Sequence, residues 1–497
     1  MEIQKEKQEY QKVFNTTFLF GGVQVFSILI GIARNKIVAV LLGATGLGFK
    51  ALLDNPLVFI GLLTGLGLSF SAVRDISEAN ETGDQVKLST VFKTFRRWVW
   101  FTGFLGMFAV IVLSPWLSQW SFGNKNYAWA YMLISVTLLI KAISDGQLSI
   151  LRGTRRTKDT AMAGVLGAAF GLVISIPLYY LYGIKGVVPA IIISSFVGLF
   201  LSWHLSRKVK TVPVQISYKD SYLQGKSMVK LGMAQTVNLL IGSGIAYLLA
   251  IFISNRGDSS EVGFYSAGWS ITNQYVGLVF AAMVVDYYPR LAGVHTDKLR
   301  VKEMVNQQAE IAILLIAPIM LLYLLSLPIL IPIFFSREFL LIIPFTQWVV
   351  LGMLLKSAAW PISFIPLAKG DSKVYFLLEG ILNNGLQLIA FVTCYYFWGL
   401  EGIGIAFLIM NIIYFAVLVF VGKKRYQVSY TRVFLKMFIF QFLLCTIAFL
   451  IVYFFKNPII GYISGGILLI VSSLYSYKEL NKRIDIKDFV LSKIRRK

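Results

Sequence analysis

Four basic side chains stand inside stretches apolar enough to be buried in a membrane: Arg34, Lys36, Lys141 and Lys356. An ionisable group at that depth is costly, so it faces a partner or a water-filled cavity. Arginine offers a planar fork of donors that matches a phosphate bidentately, whereas lysine acts as a point charge. Residues of these types, with no nucleophile or metal ligands beside them, point to anion recognition and not to bond breaking. Arg34 lies about ten residues from the outer end of its segment, or about 13–15 Å at about 1.5 Å per residue, too deep for easy snorkelling. The competing reading puts Arg34 and Lys36 at the outer interface or at the cap of a broken helix. Lys141 and Asp145 stand four residues apart on one helix face, where they could form a self-neutralising pair. Lys356 has no acidic residue within a turn and lies in the run LLKSAAWPISF. With Asn35 and Asp145, these four cations make up the candidate substrate-binding set.

The remaining intramembrane polar groups read more blandly. Asp54, Asp286, Glu310 and Glu379 fall near segment ends and are expected at interfaces. The amides Gln24, Asn238, Asn273, Gln274, Asn383, Asn384 and Gln387 suit interhelical hydrogen bonds. Trp269, Trp348 and Trp360 suit packing or interface anchoring, with stacking on a sugar ring as the alternative. Cys394 and Cys445 sit in separate apolar segments and read as packing residues, and His204 and His295 as structural or solvated. No metal motif, no cofactor motif and no Walker-type nucleotide loop is visible.

The elements that must carry these residues are transmembrane helices. Hydrophobic residues make up 57% of the 497, charged residues 14%, and the mean hydropathy is +0.71. A soluble fold of this size cannot hide that much apolar surface. Spans need about 20 apolar residues each. About fourteen segments qualify: 16–43, 51–73, 98–119, 128–151, 160–182, 187–204, 231–254, 263–288, 308–335, 340–368, 375–398, 402–421, 434–455 and 459–477. Pro318, Pro328 and Pro332 predict a kink in the ninth. The first segment is too long for a signal peptide and shows no small-residue cleavage site.

The net charge of +23 would suggest nucleic acid in a soluble protein, but its distribution points to membrane topology instead. With loops assigned alternately, about 37 of the 47 Lys and Arg fall on the side of the termini. About six fall opposite: Lys50, Lys125, Lys185, Arg256, Arg337 and Lys456. The positive-inside rule then places both termini in the cytoplasm. The basic tail 478–497 is expected on anionic lipid. All connecting loops are short, the longest near 74–97 and 205–230, which leaves no room for a soluble catalytic domain.

The chain also repeats itself at a spacing of about 216 residues. YYLYGIKG, with Tyr179, Tyr180, Gly183 and Gly186, recurs as YYFWGLEG, with Tyr395, Tyr396, Gly399 and Gly402. Gly164 matches Gly380, and Arg74 matches Arg290. A repeat unit of six spans preserves orientation, so the halves are expected to be related by an axis along the membrane normal, with a site between them near the midplane. The expected organisation is a cytoplasmic N-terminus (1–15), a six-helix bundle (16–204), a cytoplasmic connection (205–230), a second six-helix bundle (231–421), two added helices (422–477) and a basic cytoplasmic tail (478–497).

The stretch ARNKIVAVLLGATGLGFKALLD, with Gly43, Gly46 and Gly48, and the following LLTGLGLSFSAVRDISEAN, with a basic stop at Arg74, resemble the first helical hairpin of the multidrug/oligosaccharidyl-lipid/polysaccharide (MOP) exporters. Within that superfamily the chain most resembles bacterial flippases of undecaprenyl-diphosphate-linked oligosaccharides, including the O-antigen translocases. ARNKIVAVLLGA is also similar to the matching helix of the lipid II flippases, where a cavity arginine takes the place of Arg34, although Asn35 stands where those proteins often carry an acid. The resemblance covers roughly 14–425.

It implies an all-α MOP-type fold of two six-helix bundles around a cationic cavity, alternating access, and a cargo whose lipid tails stay in the bilayer. It further implies no enzyme activity and no cofactor, a lipid-linked oligosaccharide diphosphate and membrane lipids as partners, no nucleic acid, and a place in the bacterial inner membrane. Ion coupling and contact with glycan polymerase machinery are compatible with it. Three other functions compete: a lipid II flippase, a cation-coupled multidrug exporter and a membrane glycan polymerase or ligase. The multidrug exporter would want acids deep in spans 1 and 7, but span 1 carries Arg34 and Lys36, and span 7 has no acid. An enzyme would want a large external loop or an intramembrane catalytic histidine, and neither is present.

Overall fold

Apolar runs in a medium without water must close their backbone hydrogen bonds within the segment, and helices do this. The computed structural model describes residues 2–454 and 458–484. Lys456, the tail beyond 484 and the side chains of Gln24, Asn273, Gln274 and Asp286 lie outside the described residues. Every regular element among the described residues is helical. In chain order they are α1 (Glu2–Gly65), α2 (Leu68–Glu81), α3 (Gln85–Phe122), α4 (Ala128–Ile134), α5 (Val136–Gly153), α6 (Thr157–Tyr182), α7 (Val187–Ser206), α8 (Tyr218–Arg256), α9 (Ser259–Gly293), α10 (Lys298–Phe334), α11 (Ile343–Ser363), α12 (Ile365–Ala368), α13 (Ser372–Tyr375), α14 (Asn384–Arg425), α15 (Arg432–Phe454) and α16 (Pro458–Ile484).

Among the described residues, 9 stretches are long and apolar enough to cross a membrane. Three of them, Leu29–Gly65, Thr157–Ser206 and Ser372–Arg425, run to 37, 50 and 54 residues. Each is broken internally: at Gly43 in α1, at the 3₁₀ turn Gly183–Gly186 between α6 and α7, and at Gly399 in α14. Split at these breaks, and joined by α9 and α16, they place helix in each of the fourteen expected segments, and the chain is a multi-pass membrane protein. α10 runs unbroken through Pro318, Pro328 and Pro332.

The duplication is visible in backbone geometry. Gly183 has φ 55°, ψ −135°, and Gly399 has φ 58°, ψ −143°, a region that residues with a Cβ rarely enter. Three residues on, a Cβ on Gly186 would stand 2.2 Å from the Leu178 carbonyl oxygen, and one on Gly402 would stand 2.1 Å from that of Cys394. The repeated glycines thus build the same tight reversal in each half.

The chain divides into two units, Met1–Gly263 and Phe264–Lys497. The first unit contains α8, which packs on α1, α2 and α3. Its core includes Leu68, Ile76, Phe92, Phe95 and Ile150. The start of α9 crosses α1 at glycines: a Cβ on Gly48 would stand 1.6 Å from the Ser259 carbonyl oxygen, and one on Gly263 would stand 2.0 Å from that of Ala44. In the second unit α10, α11 and α14 pack together over buried Ile313, Met320, Leu354 and Phe407. α15 and α16 join α10, tied to each other by the buried Gln441, whose Nε2 donates to Ser476 Oγ at 2.9 Å and whose Oε1 accepts from Ser472 Oγ at 2.6 Å. Cys394 and Cys445 are free and buried, as packing residues would be.

Candidate functional site

In the first unit, α1 supplies Arg34 and, past its break, Lys50 and Asp54. α5 supplies Lys141, and α6 and α7 supply Ser175, Tyr179, Ser194 and Ser195. These side chains line one cavity of about 470 Å³, within the range of about 300–1,000 Å³ usual for small-molecule sites. α6 approaches Arg34 through Gly171, where a Cβ would stand 3.3 Å from the guanidinium Nη2. Beside it Ser175 Oγ and Ser194 Oγ donate to the Gly171 carbonyl at 2.6 and 3.3 Å, which satisfies that oxygen and fixes both hydroxyls on the wall.

The wall carries three cations and one carboxylate. Lys50 and Asp54, one turn apart on α1, are ion-paired and half-buried. Among the described residues, Arg34 and Lys141 have no ion pair. A second cavity of about 270 Å³ in the same unit shares Lys141 and adds Asp145, Thr64, Thr102 and Thr236. No direct ion pair joins Lys141 to Asp145, although the two stand one turn apart on α5 and line the same hollow. The site is therefore a hydroxyl-lined hollow with surplus positive charge inside a membrane protein, which suits a desolvated anion.

Lys356 lines a separate, smaller pocket of about 110 Å³ in the second unit, with Glu379, Asn383, Gln387, Asn411, Tyr414, Trp269 and Trp360. Glu379 and Asn383 are presented by a π-helical stretch, Phe376–Asn383, of the kind that re-aims side chains at functional sites. Asn384 compensates the widened turn by donating to the carbonyls of Glu379 and Gly380 at 2.9 and 3.0 Å. Tyr414 donates to Glu379 Oε1 at 2.7 Å. A pocket of this volume is nearer to a few waters, at about 30 Å³ each, than to a sugar ring.

Asn35 and Lys36 are half-buried on α1 and line none of these cavities. Two expectations need correction: Lys50 is not a loop residue, because the helix resumes directly after Gly43, and Gly48 serves helix packing instead of a turn. Asp54 and Glu379, both near the ends of their apolar segments, each line a cavity. The missed signal was spacing: Lys50 and Asp54 repeat the i, i+4 pattern of Lys141 and Asp145. Glu310 is paired with Arg483 at 2.8 Å. Trp348 is a packing residue, its ring tilted against that of Phe449 with centroids 4.6 Å apart and its indole donating to Glu401 at 3.0 Å. No group of His, Cys, Asp and Glu suited to a metal occurs among the described residues.

Comparison with known proteins agrees with the fold and the sequence pattern. A family model described as polysaccharide biosynthesis protein matches residues 37–344. The lipid III flippases of Escherichia coli (strain K12) and Shigella flexneri are each 21% identical over 360 residues, covering 70% of this chain and 83% of theirs. The lipid II flippase MurJ in an inward closed conformation superposes with a TM-score of 0.66 at 17% identity, over 93% of this chain and 99% of that one. An inward-facing MATE multidrug resistance transporter of the MOP superfamily gives 0.68 at 18% identity, over 81% and 94%. These likenesses establish a MOP-type fold, and the family model spans well over half of the sequence: the chain belongs to the polysaccharide biosynthesis protein family.

Proposed function

We propose that this protein is a flippase that carries an undecaprenyl-diphosphate-linked oligosaccharide, an O-antigen or similar surface-glycan repeat unit, from the cytoplasmic to the periplasmic leaflet by alternating access. The observation that carries the reading is the pair of cations without ion-pair partners, Arg34 and Lys141, on one hydroxyl-lined cavity among membrane helices. A diphosphate cannot cross hydrocarbon unaided, since each desolvated polar group costs kcal/mol. Arg34 offers it a bidentate partner, Lys141 a second charge, and the serines of α6 and α7 replace part of its hydration. Outward movement of an anion gains about 2.3 kcal/mol per charge per 100 mV of interior-negative potential. The named activity of the relatives, lipid III flippase, supports a lipid-linked cargo.

Deletion of the gene followed by analysis of lipid-linked intermediates tests the reading. A flippase leaves complete lipid-linked repeat units on the cytoplasmic side. Incomplete units, or complete units already outside but unpolymerised, would point to an enzyme instead.

A further inference from the structure

The basic end of α3, on the side that the charge distribution assigns to the cytoplasm, carries a second built pocket unconnected with the cation cavity. It measures about 180 Å³ and is lined by Arg97, Trp98, Phe101, Tyr218, Ser221 and Tyr222. The connection between α7 and α8 is strapped along α3 here. Ser89 Oγ accepts from the Val212 amide at 2.9 Å, and Lys93 donates to the Val214 carbonyl at 2.7 Å. Arg97 spends a single nitrogen on the strap: Nη1 donates to the carbonyls of Ile216 and Ser217, both at 3.1 Å, and to Ser221 Oγ at 2.6 Å. Its Nε and Nη2 have no hydrogen-bond partner among the described residues. Tyr218 lies over the guanidinium at 4.1 Å, and Trp98 stacks on Tyr222 with centroids 5.6 Å apart. The Trp98 indole donates to the Ser221 carbonyl at 3.0 Å, so the pocket wall is fixed.

Tyr218 is nevertheless 81% exposed, which leaves the pocket open. From Phe101 an exposed apolar lane continues up α3 through Phe104, Leu105, Phe108 and Val112, spaced by three and four residues as one helix face requires. No carboxylate lines the pocket.

We infer that this pocket holds the phosphate of an anionic phospholipid of the adjoining leaflet, with a chain of that lipid along the α3 lane. The free guanidinium nitrogens supply charge-assisted donors to a phosphodiester, and the tyrosines and tryptophan suit the glycerol level of a bilayer. The volume of about 180 Å³ encloses one phosphodiester and its glycerol, and the pocket shares no lining residue with the cation cavity, so the occupant inferred is a resident lipid and not the cargo. Bound there, it joins the start of α8 to α3 beside the strap.

Native mass spectrometry of the full chain, released from detergent with dioleoyl-phosphatidylglycerol or dioleoyl-phosphatidylcholine, tests this. One anionic lipid should be retained about fivefold better than the zwitterionic one. R97K, which trades the fork for a single point donor, and Y218A, at an exposed position that leaves folding intact, should each remove most of that preference. Equal retention of the two lipids would overturn the inference. So would an unchanged preference in Y218A, or displacement of phosphatidylglycerol by undecaprenyl diphosphate in the wild type but not in the variants.

Discussion

Arg34 shares its cavity with the hydroxyls of Ser175, Ser194 and Ser195, while the one carboxylate on that wall, Asp54, is paired with Lys50, and Gly171 leaves space beside its fork. Hydrogen bonds to charged groups are worth about 1.5–3 kcal/mol, about ten- to a hundredfold in affinity. Arg34→Ala should therefore lower transport at least about tenfold with the protein still in the membrane, and Arg34→Lys should retain an intermediate rate. Asn35→Ala, which touches neither cavity, should change it less than about twofold, as measured by surface glycan in a complemented deletion strain. Outside the spans, Asp371 gives a pH prediction. Burial works to raise its carboxyl, but hydrogen bonds from Arg425 and Tyr426, both at 2.9 Å, prevail and hold it below the ordinary value. The same site pushes Tyr426 up to about 12, by burial and then by the Asp371 hydrogen bond. A depressed carboxyl stabilises the fold above its unfolded value of about 4 and loses that contribution as pH falls through the folded value. D371N should thus melt slightly below the wild type at pH 7, and the gap should close in acid below about pH 4; thermal melts at the two pH values check this. Arg34 and Lys141 were legible because a cation in an apolar run has few explanations. Lys50, Asp54 and Glu379 were not, because a charge near the end of an apolar run reads as interfacial, and only the fold shows that the helix continues past it.

At the scale of elements, the repeated glycines make the sharpest structural statement. Gly183 and Gly399 share one backbone conformation in two parts of the chain. Sparsely populated conformations of this kind cost about 1–3 kcal/mol for a residue with a Cβ. G183A and G399A should each lower the melting temperature of the purified protein by a similar amount, and G164A, with open space around it, should not. Unequal losses would mean that the two turns carry different loads. Helix identity was readable throughout from apolar run length, since a bilayer admits little else. What could not be read was the meaning of a glycine cluster. Gly43 breaks α1, while Gly46 and Gly48 remain helical, and Gly48 lets α9 approach; composition does not distinguish a bend from a close crossing. The π-helical stretch at Phe376–Asn383, which presents Glu379 to Tyr414, was equally invisible, because no residue pattern in the run marks a widened turn.

At the scale of the molecule, a net charge of +23 in a chain with 57% hydrophobic residues is meaningful only through its sidedness. That sidedness predicts both termini in the cytoplasm. A fluorescent-protein fusion at the C-terminus should glow, and an alkaline phosphatase fusion there should be inactive; the reverse outcome would invert the proposed direction of transport. On the proposed function, the cation cavity of the first unit holds an anionic headgroup during passage. Transfer of a fluorescent undecaprenyl-diphosphate-linked oligosaccharide between the leaflets of proteoliposomes, compared for wild type, Arg34→Ala and Lys141→Ala, measures this. Wild type should transfer the lipid rapidly, and each variant should lose about tenfold or more at equal protein incorporation. Wild-type rates in both variants would mean that the cavity cations do not hold the headgroup.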